Sequence, residues 1–224
     1  MQSDMSIIKR WIYRLRHNRG YGVQSPAAFY FVMNVLRECK HPYYMYPLIE
    51  RIAKSAGDYS PKHCRRLFRI ANYLQPHNII LLSAGKGASA FALTAGCRNA
   101  MSIAIGEKPE AAISQALSKN SRYSQLEGDP MEQLQTVIEK NGHIDLLYIG
   151  NTPLYNEAVE KSLSAVNKKS VIIVEGIRRN RQMKKWWQRT IADKRIVVSM
   201  DLYNTGILTF NNEYKKQHYT FLFK

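Results

Sequence analysis

The residues whose types and spacing could do chemistry begin with IILLSAGKGASAFALTAG, residues 79–96. An apolar run breaks into small residues and two glycines, and an alanine-rich helical pattern follows. In open α/β sheets ligands bind beyond the carboxyl ends of the strands, so Ser83 to Gly87 falls where a ligand would lie, and glycine there lets backbone approach it closely. Gly85, Gly87 and Ala90 satisfy the loose G-x-G-x-x-G/A dinucleotide pattern, with Glu107 about where a ribose-binding acid is expected. Lys86 is followed by glycine rather than Ser or Thr, and no glycine stands at the required earlier position, which disfavours a phosphate-binding P-loop. The position two before Gly85, often an acid in such turns, is Ser83.

A second chemical feature is charge. The chain has 33 Lys and Arg against 17 Asp and Glu, a net +16 over 224 residues. The basic residues concentrate at Lys9–Arg19, Lys62–Arg69 and Arg178–Arg189. In the third, RRNRQMKKWWQR, the residues Arg178, Arg179 and Arg181 should project near the mouth of a strand-end site and draw in an anionic acceptor, whether RNA, a phosphorylated metabolite or a lipid head group. The competing reading is a solvated helix face with Trp186 or Trp187 packed inward, favoured for Lys184, Lys185 and Arg189. His17, Tyr21, Ser25 and Asn151 could orient an acceptor, but none carries a catalytic signature, so the catalytic residue is left open.

These residues need elements to position them. Ile8, Trp11, Ile12 and Leu15 form the stripe of a basic amphipathic helix over residues 5–17. Gly20 and Gly22 mark a turn, and Ser25 with Pro26 opens a helix to about Cys39. HPYYMYP, residues 41–47, reads as a proline-bounded aromatic plug. Ser60 and Pro61 open a further helix through Leu74, ending before Gln75-Pro76.

From Asn78 the texture becomes an alternation of strands and helices. Strands are expected at Ile79–Leu82, Ser102–Ile105, Tyr123–Leu126, Ile144–Ile149, Val171–Val174, Arg195–Met200, Ile207–Phe210 and Tyr219–Phe223. Helices are expected near 88–97, 109–119, 130–140, 154–166 and 180–192. Such alternation indicates right-handed βαβ units and a parallel sheet covered on both faces. The last two strands, joined by NNEYKKQH, are expected to form an antiparallel hairpin, because the link is too short for a crossover helix.

Cys39, Cys64 and Cys97 lack metal or C-x-x-C spacing, and their odd count argues against a disulfide framework, pointing to the reducing cytoplasm. The first residues lack a continuous apolar signal-peptide region, and no apolar run approaches the roughly 20 residues of a membrane span.

Taken in order, LLSAGKGASAFALTAG, SIAIGEKPEAAISQA, LEGDPMEQL, IDLLYIGNTPLYNEAV, VIIVEGI with MKKWWQ, and VVSMDLYNTGILTFNNEYKKQHYTF resemble the class I S-adenosylmethionine-dependent methyltransferases, and particularly the O-methyltransferase-like branch near catechol O-methyltransferase. GYGVQSPAAFYFV is similar to a GVHSP-type element that precedes the fold in a group of bacterial methyltransferase-like proteins. The resemblance implies a Rossmann-like α/β fold: a doubly wound, mostly parallel seven-stranded sheet over residues 77–224, an antiparallel C-terminal hairpin, and an N-terminal helical extension over residues 1–76.

It also implies roles. Ala84, Gly85 and Gly87 would hold the methionine end of S-adenosylmethionine, with S-adenosylhomocysteine as product. Glu107, one residue past the family's acid position at Gly106, would grip the ribose, and Asp129 would lie beside the adenine. Gly150 and Asn151 stand where the family has an Asp, and Glu175-Gly176 replaces Asp-Asp or Asp-Asn. Metal-dependent members need two or three hard oxygen ligands, so no metal is expected. Two readings follow: a methyltransferase acting on an unknown small or anionic acceptor, or a catalytically degenerate relative serving as a binding module. A nicotinamide-dependent oxidoreductase is disfavoured by the C-terminal hairpin and by the absence of a Tyr-x-x-x-Lys set. The basic patches would suit nucleic acid or a membrane surface.

Overall fold

A computed structural model describes residues 26–37 and 43–221. The expected helix over 5–17, the Gly20–Gly22 turn and the residues His17, Tyr21, Ser25 and Cys39 lie outside the described residues.

The described chain opens with helix α1, Pro26–Tyr30, which widens into a π-helical turn over Phe31–Leu36. Its end explains much of the second basic cluster. Arg69 is buried, and its Nε donates to the Val35 carbonyl (2.6 Å) while its Nη2 reaches that of Leu36 (3.2 Å), where Arg66 Nε also donates (3.2 Å). Arg65 pairs with Glu50 and lies over the Tyr46 ring. The carbonyls orphaned at a helix end are thus satisfied from inside the protein; these three arginines are largely structural.

Helix α2, Tyr46–Ala56, was not among the expected elements. Pro47 in its first turn and left-handed Gly57 at its end are ordinary start and stop signals, but the aromatic cluster obscured them. That cluster does act as a plug: the rings of Tyr43, Tyr46 and Phe68 lie 5.2–6.0 Å apart. Tyr44 remains exposed. Helix α3 spans Pro61–Leu74 as expected, and Ser60 Oγ accepts from the His63 amide (3.2 Å) to cap it.

The alternating region follows: β1 Asn78–Leu82, α4 Ala88–Gly96, β2 Met101–Ile105, α5 Ala111–Ser118, β3 Tyr123–Leu126, α6 Pro130–Asn141, β4 Ile144–Ile149, α7 Tyr155–Ser162, β5 Val166–Glu175, α8 Arg181–Ala192, β6 Val198–Asp201, β7 Thr205–Thr209 and β8 Gln217–Thr220. They form one sheet of eight strands, as many as the sequence marks and one more than the resemblance implies, in the order β3-β2-β1-β4-β5-β7-β6-β8. Strands β1 to β5 are mutually parallel.

The expected hairpin is corrected in its partners. Strand β7 does not pair with β8; it pairs antiparallel with both β5 and β6, and β8 lies parallel to β6 at the edge. The reason is burial. Four of the five β7 residues are buried, whereas β8 has one buried residue, as an edge strand does. The short turn Leu202–Asn204 makes β6–β7 the hairpin, and NNEYKKQH carries the chain past β6.

Side-chain alternation divides the sheet into two apolar layers. Ile79, Leu81, Leu146, Tyr148 and Ile173 share one core with helices α1 to α5. Ile80, Leu82, Leu147, Ile149 and Val174 share the other with α6 to α8, where Trp186 and Trp187 are buried. The N-terminal helices are therefore packed into the core of the sheet.

Candidate functional site at the carboxyl edge of the sheet

Strand order reverses between β1 and β4, and the crevice outside those strand ends is where such folds place ligands. The turn after β1 forms its floor. Ser83 donates its amide to the Ile105 carbonyl (2.9 Å), and Gly150 donates to that of Leu82 (2.9 Å), so both neighbouring strands grip the exit of β1. Ser83 itself adopts φ +52°, an uncommon conformation for a side-chain-bearing residue. Its carbonyl then presses onto Gly150, where an added Cβ would stand 1.9 Å from the oxygen. Position 150 therefore accommodates only glycine in this arrangement.

Gly85 and Gly87 both take positive φ, 62° and 104°, and Ala84 is buried beside them. Gly87 packs against Pro109 and Ile113, its hypothetical Cβ only 2.6 Å from the proline. Ser89 Oγ donates to the Ala84 carbonyl (3.1 Å) and pins the turn. Strand β2 stops at Ile105, and Gly106 follows at φ 107°. That left-handed glycine gives the chain the freedom to redirect the exposed Glu107. Asp129 is exposed and caps α6, with Oδ1 accepting from the amides of Met131 and Glu132, both at 2.9 Å. Lys108 and Glu127 pair across the same rim (2.5 Å). Asn151 is exposed beside Gly176.

The other half of the edge is closed. Glu175, at the end of β5, is 3% exposed; its Oε2 accepts from Thr205 Oγ1 (2.9 Å), and its Oε1 lies 3.0 Å from His63 Nε2. The His63 contact has the distance of an ion pair without the alignment of a hydrogen bond. Tyr59 stacks on the His63 ring at 4.8 Å. The buried Tyr148 hydroxyl approaches Tyr59 and Ser89, though none of these contacts reaches full hydrogen-bond geometry. Burial, reinforced by the Glu175 carboxylate, raises the ionisation of both Tyr59 and Tyr148, and burial with Asp58 nearby pushes the Cys64 thiol up to about 12. These groups are neutral at physiological pH. His63, Tyr59 and Tyr148 carry no spacing motif in the sequence; only the fold assembles them around Glu175.

Of the basic residues, Arg178 pairs with buried Asp201 and lies 5.5 Å from the Tyr203 ring centre, so its charge is already answered. Arg179 and Arg181 are exposed beside it, as are Lys184, Lys185 and Arg189 along α8. Among the described residues no three His, Cys, Asp or Glu side chains are grouped to hold a metal, and no helix is long and apolar enough to cross a membrane.

No family model and no curated relative matches the chain. Solved structures do. A methyltransferase of Podospora anserina, PaMTH1, bound to SAH superposes with a TM-score of 0.61 at 16% identity, over 84% of this chain and 96% of the other. The O-methyltransferase from Bacillus cereus in complex with SAH gives 0.56 at 16%, over 81% and 94%. The O-methyltransferase TomG from Streptomyces achromogenes, in complex with SAM, gives 0.58 at 13%, over 81% and 94%. The chain has the Rossmann-like fold of the class I methyltransferases.

Proposed function

We propose that the chain binds S-adenosylmethionine over the carboxyl ends of β1 to β3 and passes its methyl group, without a metal, to a small or anionic acceptor. The observation that carries this reading is the turn after β1, where Gly85 and Gly87 are both left-handed at the strand-order reversal. When bound, the cofactor supplies an electrophilic sulfonium methyl. Ala84, Gly85 and Gly87 would face its methionine end, Glu107 the ribose hydroxyls and Asp129 the adenine, with Gly150 and Asn151 closing the floor. Residues 77–224 would form the cofactor-binding domain and residues 1–76 its cap. Methyl transfer asks chiefly for alignment of acceptor and methyl, so positioning can supply most of the rate. Arg179 and Arg181, with Tyr21 and Ser25 from the N-terminal segment, would receive the acceptor. The anchoring of Glu175 by Thr205 and His63 supports a reaction without a metal, since it leaves that carboxylate committed to the protein.

A specific observation favours a second reading, a binding module that has lost catalysis: the Ser83 carbonyl lies against Gly150, where the family carries an acid. Calorimetric titration with S-adenosylmethionine, S-adenosylhomocysteine and NADH separates the two. Saturable binding of the first pair, weakened by Glu107→Ala and Asp129→Ala, supports the methyltransferase. Absence of binding up to millimolar concentration leaves the module, and binding of NADH alone defeats both. The exposed basic face of α8 would suit nucleic acid or an anionic membrane surface in either case.

A further inference from the structure

The turn after β1 lacks an acid of its own at Ser83, yet a carboxylate rests on it. Asp58, in the link between α2 and α3, lies against the turn: its Oδ2 accepts the Lys86 amide at 2.9 Å. Gly85 makes that approach possible, because a Cβ there would stand 2.9 Å from the same oxygen. The second oxygen, Oδ1, is buried and has no hydrogen-bond partner. The nearest basic side chain on the turn, Lys86, is turned toward Glu110, with Nζ 3.2 Å from Oε1. A buried carboxylate oxygen without a donor carries a desolvation cost that a cationic donor would remove.

We propose that Asp58 is the ammonium-binding residue of the cofactor site: Oδ2 stays on the Lys86 amide, and Oδ1 accepts from the α-ammonium of S-adenosylmethionine. The inference rests on the cofactor reading above. An ammonium suits this unpartnered oxygen because it brings N–H donors as well as charge, whereas the sulfonium brings charge alone. The acid absent at Ser83 is thereby supplied from the N-terminal segment, which ties that segment to the cofactor as well as to the core. Gly57, left-handed at the end of α2, and the Ser60 cap of α3 fix Asp58 between two rigid elements.

The test compares two adenosine thioethers on the full chain by calorimetry. S-adenosylhomocysteine carries the ammonium; 5′-methylthioadenosine lacks the whole amino-acid end. Asp58→Ala and the near-isosteric Asp58→Asn are each expected to weaken S-adenosylhomocysteine about tenfold or more, the loss of a charge-assisted hydrogen bond. Binding of 5′-methylthioadenosine should be unchanged, which also reports that the variants are folded. Unchanged or tighter binding of S-adenosylhomocysteine by both variants overturns the role of Asp58 and leaves the cofactor reading standing. Failure of the wild-type chain to bind either compound overturns both. Equal weakening of both compounds overturns the assignment to the ammonium, because the effect would then lie in the turn itself.

Discussion

The two halves of the sheet's carboxyl edge are built to opposite plans. Around β1, β2 and β3, turns containing left-handed glycines leave Glu107 and Asp129 exposed. Around β4, β5 and β7, protein groups fill the space: the Ser83 carbonyl covers Gly150, and Glu175 is enclosed by His63, Thr205, Tyr59 and Tyr148. The difference separates two demands. Exposed backbone and carboxylates at a rim leave the first half open to a ligand, whereas in the second the Glu175 carboxylate is taken up by the protein's own groups.

The comparison breaks most readily at Gly150. Gly150→Ala places a Cβ against the Ser83 carbonyl, so the backbone of the crevice floor must move, at a cost of about 3 kcal/mol or more. A large fall in melting temperature is the expected result; a variant as stable as wild type would mean the floor is not packed as described.

Glu175→Ala should cost about 2–3 kcal/mol, since it strands the Thr205 hydroxyl and the His63 ring in the interior. Glu175→Gln, which can still accept from Thr205, should cost less. Urea unfolding of the pair measures the difference, and equal stability of both with wild type would show that this network does not hold the half closed.

Alkaline pH probes the same region. The folded state raises the ionisation of Cys64 to about 12, so the unfolded chain releases that proton first. Its contribution to stability is complete below the ordinary thiol range near 9 and is lost progressively as pH rises toward 12. By pH 10 the loss from this one group is about 1 kcal/mol. Tyr123, in the open half, is raised to about 12 by burial and adds to the loss above pH 10. Denaturant midpoints at a series of alkaline pH values should fall, and Cys64→Ala should flatten the earliest part of the slope.

In the open half, Asp129→Ala removes the cap of α6 and should cost about 1 kcal/mol. Glu107→Ala should leave stability within about 0.5 kcal/mol while weakening cofactor binding. If Glu107→Ala instead destabilised the fold, that residue would belong to the scaffold. Smallest of all, Arg179→Ala and Arg181→Ala should each change stability by less than about 0.5 kcal/mol, with any effect confined to the affinity for an anionic acceptor.

Much of this architecture was legible in the residues. The strands Tyr123–Leu126 and Ile144–Ile149 fall at the expected limits, and Ser60-Pro61 marks α3 to the residue, because periodicity and capping act locally. The glycines at 85 and 87 announced a turn at a strand end for the same reason. Helix α2 carries start and stop signals at Pro47 and Gly57, but it begins inside a proline-bounded aromatic stretch that reads equally well as a packing plug. The pairing of the last strands is not encoded locally for a different reason: two consecutive strands and a short link fit a hairpin equally well whether or not another strand lies between them.

The sequence by itself determined the alternation of elements, the place of the glycine turn and the large positive charge, all of which depend on neighbours along the chain. Only the tertiary structure decided what each charge and each glycine is for. Arg65, Arg66 and Arg69 look like a basic patch in sequence and are spent on helix carbonyls, an aromatic ring and Glu50. Asp58 and His63 look unremarkable and come to lie on the Gly85 turn and beside Glu175. Contacts between groups 27 (58 to 85) or 112 (63 to 175) positions apart are set by how helices dock on a sheet, and no local pattern of residue types encodes that docking.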